Sequence, residues 1–236
     1  MTGHNDMSQL GNSTVVSSAT PVAYGLPVGV QAKRVFTSFL SAGGNVFVTG
    51  TDGKTYGTGR NDVGQLGGGG IASTYSSTPR EVKLPAGVTT RSVGVGRYAN
   101  YFIGSNYRVY AVGACDMGRL GDGRVESGCQ NTTTPVRVSV FDSTSDSVKP
   151  VLDSDWLQST NIAVDNNSAY IRTVGGRVYG WGLNHMGQLA RGNTTNALSP
   201  VQIGTFGNTG QPKAVQVAFN GDTVYIVTDD GKLHVA

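Results

Sequence analysis

The sequence predicts an all-β fold assembled from repeated antiparallel sheets. Three observations carry that expectation: a glycine-rich composition poor in charge, one nonapeptide that returns along the chain, and a strand-like phrase at a fixed place beside each return. Glycine supplies 35 of 236 residues, and charged residues only 14 %. Neither a helix bundle rich in Lys, Glu and Leu nor a highly charged disordered chain has this make-up. Glutamate, a strong helix former, occurs only at Glu81 and Glu126. Gly, Ser, Thr and Asn take its place, as strands and turns require.

The nonapeptide reads GHNDMSQLG at Gly3–Gly11, GRNDVGQLG at Gly59–Gly67, GACDMGRLG at Gly113–Gly121 and GLNHMGQLA at Gly182–Ala190. GKTYGT, YRVYAV and GRVYGW precede the second, third and fourth copies, and GKLHVA ends the sequence at Ala236. In each phrase hydrophobic side chains alternate with small or polar ones, the period of a half-buried strand. A Pro-led segment follows each motif: TPVAY from Thr20, TPREV from Thr78, TPVRV from Thr134 and SPVQI from Ser199. Proline is expected at the first residue of these strands, where its missing N–H costs no ladder bond. Two further strands fill each unit, RSVGV and YFIG in the second and AVQVA and TVYIVT in the last. Four short antiparallel strands per unit, repeated radially, make the blades of a β-propeller. One blade cannot cover both of its faces, so its neighbours must. The expected organisation is a single β-propeller domain over 1–236, with repeats near 3–58, 59–112, 113–181 and 182–236.

Each motif position has physical work in this scheme. Leu10, Leu66, Leu120 and Leu189 each plug an apolar gap between blades, worth roughly 1.5–3 kcal/mol per side chain. Gln9, Gln65 and Gln188 both donate and accept, so they can satisfy loop backbone that has no ladder partner. Gly59 and Gly64 permit tight backbone paths that a Cβ would obstruct.

The phrase GRVYGWGLNHMGQL at Gly176–Leu189, followed by SPVQI, resembles the repeats of the regulator of chromosome condensation family. The resemblance runs through all four units. It implies a β-propeller, commonly of seven blades, that recognises proteins through one face. The family includes a nucleotide-exchange factor for a small nuclear GTPase that also binds chromatin, bacterial inhibitors of β-lactamases, effectors and regulatory modules. It shares no common catalytic constellation. This sequence departs from the pattern in several places. GRYAN at Gly96–Asn100 lacks the histidine often found there; Cys115 replaces the motif Asn, Arg119 the Gln and Ala190 the last Gly. An extra loop, FDSTSDSVKP, occupies Phe141–Pro150, and nothing matches the wedge that the exchange factor inserts against its GTPase.

By this count the last blade has three strands, and Pro21–Tyr24 is a Pro-led strand without a blade. Three arrangements stay open. The orphan strand closes a small four-bladed ring in cis, or strand 20–24 completes the blade edged by 231–236 in another copy, or the sequence is a segment of a longer propeller. Four blades are few for such repeats, which favours the second and third.

Composition and motifs exclude more chemistry than they suggest. Net charge is +3, and Lys33-Arg34 is the only adjacent basic pair. Nucleic-acid binders cluster their bases to neutralise several phosphates together, so nucleic acid is not the expected partner. No apolar run approaches the ~18 residues of a membrane span, and MTGHNDMSQL has no apolar core like a signal peptide's. His4, His185 and His234 have no ligand-like spacing. GVGRYA at Gly94–Ala99 is followed by a strand, not by the helix a dinucleotide needs. Gly67–Gly70 lacks the Lys-Ser/Thr of a phosphate loop, and Asp153–Asp155 lacks full calcium-loop spacing. No catalytic residue, metal or cofactor is expected.

Cys115 and Cys129 fall in one loop, either as a disulfide worth roughly 3 kcal/mol or as two free thiols; the disulfide is favoured. Asn12, Asn131, Asn166 and Asn193 head Asn-x-Ser/Thr triplets and permit export without showing it. An extracellular or cell-surface setting is favoured, with the compartment left open. Trp181 is expected in the core. Arg97, Tyr98 and Tyr107, in turns, and Trp156, beside the long loop, are the candidate partner contacts. The expected function is non-enzymatic: a protein-recognition or scaffold propeller, part of a larger surface or secreted assembly. The alternative is a regulatory module acting on one enzyme, as a nucleotide-exchange factor or an inhibitor.

Overall fold

Short runs of Val, Phe, Tyr and Ile, bounded by Gly, Asp and Asn, make strands wherever both faces can be covered. The computed structural model describes residues 2–37, 44–70, 72–124, 127–142, 147–150, 161–165, 167–173, 175–220 and 222–236. The first sheet is β1 (Ala32–Thr37), β2 (Val46–Gly50), β3 (Thr55–Arg60) and β4 (Tyr75–Glu81). The second is β5 (Thr90–Val95), β6 (Ala99–Gly104), β7 (Val109–Gly113) and β8 (Thr132–Arg137). A hairpin of β9 (Ser139–Asp142) and β10 (Ser147–Pro150) follows. The third sheet is β11 (Asn161–Val164), β12 (Ser168–Arg172), β13 (Val178–Gly182) and β14 (Ala197–Gln202). The fourth has three strands, β15 (Ala214–Asn220), β16 (Thr223–Thr228) and β17 (Leu233–Val235). In every sheet neighbours in space are neighbours in sequence, and the pairing is antiparallel.

The chain divides into two compact units. One comprises Met1–Ser105, Tyr110–Ala114 and Asn131–Val136; the other comprises Asn106–Val109, Cys115–Gln130 and Arg137–Ala236. The first unit has a core of Phe47, Leu66, Val82, Val93, Val95, Phe102, Tyr110 and Val112. Phe47 of β2 meets Phe102 of β6 edge to face, with ring centroids 5.2 Å apart, so the facing sides of two sheets are sealed by an aromatic pair. In the second unit Tyr170 of β12 stacks on Phe219 of β15 at 5.2 Å. Trp181 is fully buried there and donates its indole N–H to the Arg119 carbonyl at 3.0 Å.

Three details differ from the sequence reading. The Pro-led strands begin earlier than expected, so Pro79, Pro135 and Pro200 lie inside β4, β8 and β14. Two of these prolines coincide with register shifts: the β3–β4 pairing passes from Gly57↔Arg80 to Gly59↔Ser76, and the β13–β14 pairing from Gly180↔Val201 to Gly182↔Ala197. A bulge leaves residues outside the ladder, so the missing N–H is tolerated in mid-strand. Residues 20–24 form no strand. They are held instead by the Gly25 N–H on the Gly11 carbonyl at 2.8 Å and by the Tyr24 ring against Gly11. Finally, the segment read as an extra loop at Phe141–Pro150 is largely the β9–β10 hairpin.

Candidate functional site

The four nonapeptides build one recurring loop, and its chemistry is inward. Asn5, Asn61 and Asn184 are buried. Each accepts, through Oδ1, the N–H of the motif leucine: Leu10 at 2.8 Å, Leu66 at 3.1 Å and Leu189 at 2.8 Å. Their amide groups donate onward into the following loop. Asn5 reaches the Thr14 and Val16 carbonyls, Asn184 the Asn193 and Thr195 carbonyls, and Asn61 the Ser73 hydroxyl. Gln9, Gln65 and Gln188 accept the N–H of Met7, Val63 and Met186, each at 3.0 Å. Leu10, Leu66, Leu120 and Leu189 are all buried. The third copy has no asparagine. There a disulfide joins Cys115 to Cys129, with Cα atoms 6.0 Å apart. Arg119 takes the glutamine's place, binding the Asn167 amide oxygen at 2.6 Å and pairing with Asp116.

The candidate partner contacts Arg97 and Tyr98 lie in the β5–β6 turn. Its backbone is pinned from three sides. The Gly96 N–H donates to Asn100 Oδ1 at 3.0 Å, Gln65 Nε2 donates to the Arg97 carbonyl at 3.3 Å, and the Ala114 N–H donates to the Tyr98 carbonyl at 2.9 Å. Over the Tyr98 ring stand two guanidinium groups, Arg97 at 4.9 Å and Arg60 at 5.3 Å from the centroid. Arg60 is forked onto Asp62 at 2.8 and 2.5 Å. That bond holds the Arg60 guanidinium above its ordinary pKa. Partial burial pushes the Asp62 carboxyl up, but the bonds from Arg60 and Gln65 outweigh it and hold the group below the usual carboxylate range. Arg97 is half-buried, and its Nε is shielded from solvent with no acceptor among the described residues.

The regulator of chromosome condensation (RCC1) repeat matches residues 52–103 and 175–226. These segments start in the β2–β3 and β12–β13 turns and each run into the following sheet. These two segments match the repeat of the regulator of chromosome condensation family. The ultraviolet-B receptor UVR8 of Arabidopsis thaliana is 27 % identical over 202 residues, covering 85 % of this chain and 40 % of the receptor. The regulator of chromosome condensation of Mus musculus is 27 % identical over 159 residues, 66 % of this chain and 33 % of the mouse protein. The chain thus spans less than half the length of these curated relatives. Among solved structures, human WBSCR16 superposes with a TM-score of 0.76 at 20 % identity, over 99 % of this chain and 55 % of that one. Yeast RCC1 (Prp20) gives 0.69 at 18 %, over 93 % and 47 %. These likenesses establish the fold, an all-β array matching part of an RCC1 propeller.

The second and fourth nonapeptide loops fall within the matched segments, and Arg97 and Tyr98 stand on a turn beside the second. Arg60, the second residue of its motif, joins that turn. Its part was invisible in sequence because a cation–π contact between residues so far apart leaves no local signal. Tyr107 lies in the following turn, between β6 and β7, with φ +61°. Trp156 falls outside the described residues. His4 lies near Asp6 at 3.4 Å, His185 is exposed, and His234 packs on Phe206 at 4.9 Å. Among the described residues no three His, Cys, Asp or Glu side chains are grouped to hold a metal, and no helix is long and apolar enough to cross a membrane.

Proposed function

We propose that this chain is a non-enzymatic protein-recognition module, a scaffold of RCC1 repeats that presents turn side chains to a partner. The observation that carries this reading is the β5–β6 turn. Its backbone is fixed by hydrogen bonds, while the half-buried Arg97 side chain rests on Tyr98 and has no ion pair among the described residues. A preorganised turn loses little entropy on binding, and arginine and tyrosine are favoured at the centres of interfaces. The Cys115–Cys129 disulfide supports an extracellular or cell-surface setting, where such bonds persist. The test is quantitative capture: the intact chain retains a partner protein in stoichiometric amount without turnover, and the Arg97→Ala/Tyr98→Ala double variant loses it. Equal retention by the folded double variant overturns the reading.

A regulatory role on one enzyme is the alternative, supported by the relatives: the mouse protein is named a regulator, and yeast Prp20p has described binding properties to Gsp1p and histones. Loss of nucleotide release from a candidate GTPase on adding the Arg97 variant would favour it. Self-association is a second reading, through 20–24 and 231–236. β17 has β16 on one side and no strand on the other among the described residues, with Leu233 and Val235 exposed. Light scattering of a concentration series checks it: a mass of one chain at every concentration removes it.

A further inference from the structure

The stack at Arg60, Tyr98 and Arg97 specifies the chemistry of its partner. Two cations over one ring repel each other. Asp62 neutralises the first through a forked ion pair, and Arg97 has no ion pair among the described residues. The cluster therefore holds two positive charges and one negative, an excess of one. Contact with the Tyr98 face removes part of the guanidinium's water, which strengthens any charge-assisted hydrogen bond it forms next. The carbonyls of Arg97 and Tyr98 and the Gly96 N–H are already engaged within the fold.

We propose that Arg97, braced on Tyr98 beside the Arg60–Asp62 pair, is the receptor for a glutamate or aspartate carboxylate in an acidic segment of a partner protein. A carboxylate carries the single charge that balances the cluster and has the planar fork that guanidinium matches. A phosphate group carries about −1.5 to −2 at neutral pH and would overshoot. A nucleic acid needs several neighbouring bases, and the bases of this chain are scattered. The next turns of the same kind do not repeat the device. In the β11–β12 turn the Asn167 amide oxygen is taken by Arg119, and in the β15–β16 turn Asp222 is taken by Gln188.

This inference rests on the recognition reading above and is tested separately from it. The 15N-labelled full chain is titrated with a capped hexaglutamate peptide, a hexaglutamine control and inorganic phosphate, while the arginine Nε–H signals are followed. The Arg97 signal, assigned by its loss in Arg97→Lys, moves with hexaglutamate and not with hexaglutamine or phosphate. Arg124, already bonded to Asp122, stays still. Fluorescein-labelled hexaglutamate binds Arg97→Gln at least ~10-fold more weakly than wild type, and added salt weakens the wild-type complex. Unchanged folding of Arg97→Gln is checked by its thermal midpoint; if that variant does not fold, the Nε–H titration of wild type decides. A response to phosphate alone, or a still Arg97 signal, overturns the carboxylate assignment. If Arg97→Ala/Tyr98→Ala loses the captured partner while Arg97→Gln keeps it, recognition stands and the acidic partner falls. If the double variant keeps the partner, recognition itself falls.

Discussion

The third and fourth motif loops share left-handed positions, differ at the fifth, where only Met117 is left-handed, and are held by different chemistry. In each, the sixth and ninth positions are left-handed: Gly118 at φ +72° and Gly121 at +60° in the third, Gly187 at +82° and Ala190 at +48° in the fourth. In each a buried leucine, Leu120 or Leu189, fills the gap beneath. Yet the fourth loop is clamped by Asn184, which ties Leu189 to the loop that follows, whereas the third is closed by the Cys115–Cys129 bond. What is required is a loop satisfied internally and plugged by leucine; asparagine and cystine are two ways to close it. A recurring element whose polar atoms are spent on its own backbone has little left for a ligand. On our proposal, recognition therefore falls to turns such as Arg97–Tyr98.

That comparison can be broken most forcefully at the leucines. Leu120→Ala and Leu189→Ala should each cost about 2–5 kcal/mol of stability, by similar amounts, because the plug works independently of the clamp. Urea unfolding reads both, and a loss confined to one loop would show that the two are not equivalent. Next comes the closure itself. Cys115→Ser with Cys129→Ser, or reduction, should cost about 3 kcal/mol for a bridge of sequence separation 14, seen as a lowered midpoint in reductant. Asn184→Ala leaves the buried Leu189 N–H without its acceptor and should cost about 1–3 kcal/mol. It should do so equally with and without reductant, whereas the cystine pair responds to reductant alone.

The ninth position supplies a change of opposite sign. Ala190 adopts a left-handed conformation that its Cβ disfavours, so Ala190→Gly should raise stability by about 0.5–1 kcal/mol. Gly121→Ala at the matching place should lower it, since its Cβ would lie 2.8 Å from the Trp181 ring. The smallest effect concerns the β16–β17 turn. Hydrogen bonds from Thr228 and Lys232 hold the exposed Asp230 carboxyl down at about 2. Its contribution is present above the ordinary value of 3.8 and is lost as pH falls through about 2. A carboxyl NMR titration reads that midpoint directly, and Thr228→Val should move it toward the ordinary value.

Much of the fold was legible because the repeat states it four times. The alternating phrases became β3, β7, β13 and β17, and a nearby pair of cysteines in one loop met at bonding distance. What escaped depends on contacts that sequence does not display. The prolines were expected at strand starts because a central proline breaks a ladder; the bulges opposite Gly57–Gly59 and Gly180–Gly182 remove that objection. TPVAY had the pattern of a strand, yet residues 20–24 form none, and the Tyr24 ring lies against Gly11 instead. The asparagine clamp was hidden in plain sight at the third motif position, since only geometry shows its Oδ1 on the leucine five residues on. Arg97 and Tyr98 were singled out as turn residues; Arg60 was not, because it reaches them across two sheets.

The central claim, that the motif loops are one scaffold element closed by alternative means, is tested most directly by amide hydrogen exchange on the oxidised and reduced protein. The account predicts that reduction releases the amides of Arg119, Leu120 and Gly121. Those of Leu66 and Leu189, which donate to Asn61 and Asn184, keep their protection. Equal loss at all three leucines, or no change around Leu120, would contradict it.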